Sequence, residues 1–272
     1  MDKSILIIVG FIIIVVILNL INSESFEIYY NDTKHFMKSD WKYNYLLNNN
    51  MLSRPVEETH KFAIVTFENR KDLEYITLHN QNMTEYCKKW NYDYLFYDQC
   101  VHNVYWCKIY LVLDALKSGK YDYVLWMDSD AIIKNSTMSL DSIVNKYSSD
   151  IYVNFDNGNS VFCAGVFMIK NSPIGIAYLE DCIKQNNKKC LTEDNKLKGI
   201  WAGLCYEQGI MNELIFQKYH KYTTSLPRYI VLNRGITDTL ATCDEDAFII
   251  HLYGSPNDAR AKCFSRFISP ST

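Results

Sequence analysis

The sequence has no excess of positive charge: 28 Lys and Arg stand against 31 Asp and Glu, for a formal net charge of −3. Nucleic-acid recognition needs a basic patch or stripe, so composition gives it no electrostatic support. None of the nine cysteines forms a Cys-X-X-Cys pair, and their spacing does not describe a zinc site. No Ala-X-Ala-like cleavage signal follows the apolar run at the N-terminus, which favours a retained anchor over a removed leader.

What is present at that end is a charge-free run over residues 5–18, extended past Asn19 by Leu20 and Ile21. A spanning helix needs roughly 20 apolar residues, so this run is slightly short and suits a thin membrane such as the endoplasmic reticulum or Golgi. Lys3 precedes it while Glu24 and Glu27 follow, which leaves the tip cytosolic and the rest lumenal, a type II arrangement. Residues 1–22 are read as tip and transmembrane signal anchor, 23–60 as a polar stem, and 61–272 as the folded domain, with 41–47 able to pack onto it. Sequons at Asn31, Asn82 and Asn135 suit a lumenal domain, although Asn135 lies close to the site described next. An odd cysteine count leaves one unpaired unless it bonds another chain; Cys182 with Cys190 and Cys243 with Cys263 are conceivable pairs, and Cys107 and Cys163 read as simple buried residues.

From residue 62 the pattern alternates. A strand over 62–67 precedes a helical spacing from Leu73 to Trp90; a second strand, 92–97, precedes a second helix, 104–116; a third strand, 121–127, ends in Asp128-Ser129-Asp130. Further strands are expected at 151–155, 161–169, 228–232 and 247–251, and a helix capped by Ser172 with Pro173 in its first turn runs to Gln185. Strands alternating with helices predict an α/β fold, a mostly parallel sheet flanked by helices with right-handed crossovers. Residues 123–127 are continuously apolar, as a central strand buried on both faces must be. The acids then fall at its carboxyl end, the edge where open α/β sheets bind ligands.

Side chains two apart on extended backbone share a face, so Asp128 and Asp130 can hold one hard cation, Mn²⁺ or Mg²⁺, while Ser129 faces elsewhere. The bland alternative is a polar turn capped by Asp130. His251 also ends an apolar run and can complete the ligand set, with Gly254-Ser255 beyond it; a lone histidine here would otherwise be structural. Thr66 ends the first strand near the acids, where a loop can hold a nucleotide, or it is only a good strand former. Gly165 inside a strand marks close approach of a ligand or another backbone, or else a bulge. Glu207 and Gln208 begin a helix and either point into a site or cap into solvent.

Tyr105-Trp-Cys-Lys108-Ile, Trp126-Met-Asp128-Ser-Asp130-Ala-Ile-Ile, Ala164-Gly-Val-Phe-Met-Ile-Lys-Asn171-Ser, Glu207-Gln208 and His251-Leu-Tyr-Gly254 resemble, in order and spacing, a family of GT-A nucleotide-sugar glycosyltransferases. That family comprises galactomannan galactosyltransferases, xyloglucan xylosyltransferases and fungal α-galactosyl- and α-mannosyltransferases. The resemblance runs from residue 62 to about 262 and implies a GT-A fold, a retaining mechanism, a nucleotide-sugar donor, UDP-linked by expectation, and a glycan or glycoprotein acceptor. It implies Asp128, Asp130 and His251 as metal ligands and Ser129 beside the donor. Thr66, Lys108, Gly165 and Gly254 also fall on the donor side, and Glu207 and Gln208 beneath donor sugar and acceptor. A homodimer stays open. The chain departs from the family at Cys163-Ala164, where Asn or Ser precedes the glycine, and after His251, where a Lys is replaced by Ser255-Pro256-Asn257; Arg260 or Lys262 can restore that charge. Glycogenin-like retaining transferases share most of these features. A phosphatase of the haloacid-dehalogenase type, or an inactive glycan- or partner-binding module, are the readings from other classes.

Overall fold

The first strand, β1 (Phe62–Phe67), sets the frame. Phe62 and Ile64 join the core on one face of the sheet and Ala63 and Val65 the core on the other, the period-two alternation of extended backbone. In this computed structural model the described residues are 59–70, 72–154, 162–186, 190–194, 196–234 and 243–268, all within the unit Ser53–Thr272. The expected anchor, almost all of the stem and the sequon at Asn31 lie outside them. Among the described residues no helix is long and apolar enough to cross a membrane.

Helix α1 (Glu74–Trp90) follows β1 and stops at Asn91, whose left-handed backbone donates its N–H to the Cys87 carbonyl. Then come β2 (Asp93–Tyr97), α2 (Cys107–Lys117), β3 (Tyr123–Met127), β4 (Ala131–Ile133), α3 (Leu140–Lys146), β5 (Ile151–Val153) and β6 (Val166–Lys170). Helix α4 (Pro173–Gln185) opens on Ser172, whose side chain accepts from the Gly175 N–H. Helix α5 (Glu207–Leu214), β7 (Thr223–Ser225), β8 (Val231–Asn233), β9 (Ile249–His251) and α6 (Asn257–Phe264) complete the order.

The main sheet runs β2-β1-β3-β6-β5-β7, parallel throughout except for β6, which is antiparallel to both neighbours. Residues of α2, α4 and α5 fill the core on one face, and α1 and α3 that on the other. A second sheet, β4-β9-β8, pairs Ala131 with His251 and His251 with Asn233. The α/β expectation and the buried central strand hold; the margins move. Helix α2 begins at Cys107 because 103–106 form a turn, the Trp106 N–H reaching Asn103 O. Strand β6 begins at Val166 because the chain turns at 164–165, and β8 starts only after a turn in which the Ile230 N–H bonds Pro227 O.

The disulfides correct two expectations. Cys243–Cys263 forms, but Cys190 pairs with Cys205, not Cys182, and Cys107 pairs with Cys100. Cys182 sits on the buried stripe of α4 with Tyr178 and Leu179, so packing removes it from reach. The sequon at Asn82 is structurally committed: its carboxamide is buried, accepts from Ile133 N–H and donates to Ile133 O, fastening α1 to β4.

Candidate active site

Strand order reverses between β1 and β3, and the two carboxyl ends meet there, where the Ser129 hydroxyl donates to Glu68 at 2.7 Å. Residues 129–130 form a turn, the Ala131 N–H bonding Asp128 O at 2.9 Å, so Ser129 is aimed at Glu68 by the turn and not by the alternation of extended backbone. A cleft of about 860 Å³ opens at this edge. Of the residues the sequence singles out, Lys108, Asp128, Ser129, Asp130, Gly165, Glu207, Gln208, His251 and Gly254 line it.

Thr66 does not line it. Its side chain is fully buried, bonded to Met127 O at 2.9 Å and His79 Nε2 at 3.1 Å, so it serves the frame rather than a nucleotide. The wall at this strand end is instead Phe67 to Arg70. Burial raises Glu68's pKa, but hydrogen bonds from Arg70 and Ser129 outweigh this and hold it below the ordinary glutamate value. Glu68 and Arg70 escaped the sequence reading because they belong to no apolar run; their one signal is position at a strand's carboxyl end.

Asp128 and Asp130 present oxygens that, with a ring nitrogen of His251, all lie within 4.8 Å of one another. Each atom is placed by a different element. Trp126 Nε1 donates to Asp128 at 2.6 Å, and the Asp128 N–H bonds Gly165 O at 2.7 Å. Asp130 meets His251 Nε2 at 3.1 Å and Arg260 Nη2 at 2.7 Å. Burial would raise Asp130's pKa; His251, then Arg260, reverse that and pull it well below the carboxylate range.

His251 is held from behind. Its Nδ1 is 2.9 Å from Asn233 Oδ1, and the Asn233 amide donates to Asn154 Oδ1, whose own amide donates to Val166 O. With the Nδ1 proton given to Asn233, Nε2 is the nitrogen turned toward the acids, the outer-shell arrangement that orients metal-ligating histidines. Burial disfavours the imidazolium, yet Cys163 and Asp130 beside it raise its pKa well above the ordinary value, so a cation would displace a proton here. Gly165 makes the approach feasible: a Cβ there would stand 2.1 Å from the His251 ring. The close neighbour is a side chain, neither the ligand nor the backbone that the glycine suggested.

Behind Asp128 lies a buried cation. Lys108 Nζ sits 3.1 Å from Asp128 Oδ1, 3.2 Å from Glu207 Oε1 and 3.1 Å from Ala164 O. Burial disfavours its ammonium, but Asp128 and Glu207 more than compensate and raise its pKa. Glu207 goes the other way: burial pushes its pKa up against the pull of Lys108. Its Oε2 is buried with no hydrogen-bond partner, while the residue itself lies on the cleft wall. Gln208 Oε1 accepts the Ala164 N–H at 2.9 Å, tying α5 to the turn before β6. Of the two basic candidates after the histidine, Arg260 is buried and reaches Asp130, whereas Lys262 is exposed and does not line the cleft.

The donor set of two carboxylates and one imidazole, clustered and oriented from behind, fits a hard or borderline divalent ion. The same fold occurs in a glycosyltransferase involved in the glycosylation of the major capsid of PBCV-1, with a TM-score of 0.57 at 15% identity over 76% of this chain and 99% of that one. The apo-form glycosyltransferase GlyE of Streptococcus pneumoniae TIGR4 gives a TM-score of 0.48 at 14% identity, covering 77% and 61%. Galactosyltransferase LgtC, in complex with donor and acceptor sugar analogues, gives 0.43 at 12% over 77% and 97%. No curated protein sequence matches the chain. Fold, acids and sequence match together define a glycosyltransferase of the GT-A fold, which removes the phosphatase reading. Residues 57–148, about a third of the chain, match the galactosyl transferase GMA12/MNN10 family.

Proposed function

We propose that the chain moves a hexose or pentose from a nucleotide diphosphate sugar, UDP-linked, to a glycan or glycoprotein acceptor with retention of configuration, using Mn²⁺ or Mg²⁺. The observation that carries this reading is the gathering of Asp128, Asp130 and His251 ligand atoms within 4.8 Å at the carboxyl edge of β3. When bound, the cation supplies charge neutralisation for the departing diphosphate. Lys108 fixes the Asp128 carboxylate from behind and adds positive potential to the cleft floor. Glu207 offers its unpartnered oxygen to a sugar hydroxyl and, being pushed up in pKa, can carry a proton nearer neutrality than an ordinary glutamate. Retention rests on the family resemblance, which also lets the leaving diphosphate take the acceptor's proton.

The reading extends to a lumenal domain in the endoplasmic reticulum or Golgi, held by the N-terminal run. It is supported by three disulfides, which persist in oxidising compartments. One observation favours a different reading, an inactive glycan-binding module: Asp130 is already compensated by Arg260 and His251. Donor hydrolysis decides between them. Full-length protein is surveyed over UDP- and GDP-sugars with Mn²⁺, with EDTA and with Asp130→Asn as controls. Metal-dependent cleavage of one donor, lost in the variant, establishes the transfer reading and names the sugar; silence with every donor from folded protein moves the assignment to the binding module.

A further inference from the structure

Three aromatic rings stand in mutual contact at the mouth of the cleft. Centroids are 5.3 Å apart for Tyr105–Trp201, 5.2 Å for Tyr105–Tyr206 and 5.1 Å for Trp201–Tyr206. Tyr105 and Trp201 line the cleft together with Glu207 and Gln208, and Tyr206 is the residue just before that pair. Trp201 is nevertheless 66% exposed. With Ile200 and Leu204, 82% and 62% exposed, it forms an exposed apolar patch beside the cleft, the kind of surface that marks an interaction site.

The loop bearing Trp201 is built rather than slack. Cys190–Cys205 closes it, Cys100–Cys107 closes its neighbour, and Trp106 Nε1 donates to Cys205 O at 3.2 Å, joining the two. Ala202 adopts φ 57°, a left-handed conformation costly for a residue with a Cβ, directly after the exposed tryptophan. Gly209 of α5 packs so closely under this loop that a Cβ would lie 2.2 Å from Gly203 O. A platform fixed before binding loses little entropy on binding.

We propose that Tyr105, Trp201 and Tyr206 form the acceptor subsite, with Trp201 stacking on the apolar face of an uncharged pyranose ring. The inference rests on the transferase reading above and names the substrate class for its second half. The three rings carry no charge, and the faces of aromatic rings are negative while sugar C–H bonds are weakly positive, so a neutral sugar is the matching ligand. The position agrees: an acceptor must reach the donor beside Glu207 and Gln208, and Trp201 stands next to both. A flat lipid or protein surface pressed onto Trp201 would instead cap the cleft through which the donor enters.

The test titrates the full chain with methyl glycosides of glucose, galactose, mannose and xylose and with their disaccharides, followed by ligand-observed NMR. Wild type should bind at least one at millimolar concentration, Trp201→Ala should weaken it about tenfold, and Trp201→Phe should keep most of the affinity, the scale of one aromatic contact. Absence of any saccharide binding, or equal binding by Trp201→Ala, overturns the subsite. Hexyl glycosides binding much more tightly than methyl ones, with that gain alone lost in Trp201→Ala, would make the occupant an apolar chain and overturn it too. UDP binding with Mn²⁺, measured separately on wild type, tests the transferase reading by itself, so the two failures are distinguishable.

Discussion

Lowering the pH from 7.5 to 5 should weaken the folded domain through one residue, His79. Its ring is fully buried on α1, with Nδ1 2.7 Å from Ala131 O and Nε2 3.1 Å from Thr66 Oγ1. Nδ1 donates to the carbonyl, which leaves Nε2 as an acceptor, and the Thr66 hydroxyl divides its one proton between Nε2 and Met127 O. Burial lowers the His79 pKa from 6.5 to about 4, against smaller opposing pulls from Ala131 O and the nearby carboxylates. The unfolded chain therefore takes up a proton that the native one refuses. Stability is intact above the unfolded value and drains away as pH falls toward the native value. The loss is about 2 kcal/mol by pH 5 and about 3 kcal/mol once pH is below both. Urea midpoints at the two pH values, for wild type and His79→Gln, measure it. The variant is less stable at neutral pH but should lack this part of the acid slope. Identical slopes in the two proteins would refute the argument that the ring is buried neutral.

Three further perturbations probe the site and its support. Lys108→Met strands Asp128 and Glu207 without their shared cation, and by analogy with broken buried ion pairs should cost about 3 kcal/mol in urea unfolding; a midpoint near wild type would show that the pair needs no such partner. Gly165→Ala pushes on the His251 ring, and Asn233→Ala removes the group that orients it, so each should weaken Mn²⁺ binding by roughly 10- to 100-fold in calorimetric titration, and unchanged affinity in both would remove His251 from the ligand set. Replacing Cys190 and Cys205 together by Ser opens a loop of 15 residues and should cost about 3 kcal/mol, read as earlier protease nicking of the 190–205 loop; equal nicking rates would mean that packing alone holds it.

Where the sequence was legible, the signal was local. An unbroken apolar run ending in two acids announces a central strand and its active edge, and β3 is that strand with Asp128 and Asp130 at its end. His251 was legible for the same reason, since β9 is apolar up to it. Thr66 misled because a strand end says nothing about which way a hydroxyl points, and here it points inward to Met127 O. The cysteine pairing was opaque because it depends on which face of α4 is buried against the rest of the core, and that face carries Cys182 inward. Asn233 gave no signal at all: its role arises only from the register that sets β8 beside β9.

The two acids are completed at very different moments in the life of the chain. Asp128 meets Lys108 across 20 residues, whereas Asp130 waits 121 residues for His251 and 130 for Arg260. The last of these contacts lies in the segment that Cys243–Cys263 ties down. Closing so long a loop is slow and comes late. A nascent chain, or one cut short before residue 248, would possess both acids and the whole β1–β3 frame yet lack an imidazole to hold a cation. The fold thus couples completion of the candidate metal site to the arrival of β9, so that the acids wait on the far end of the described chain for their third ligand.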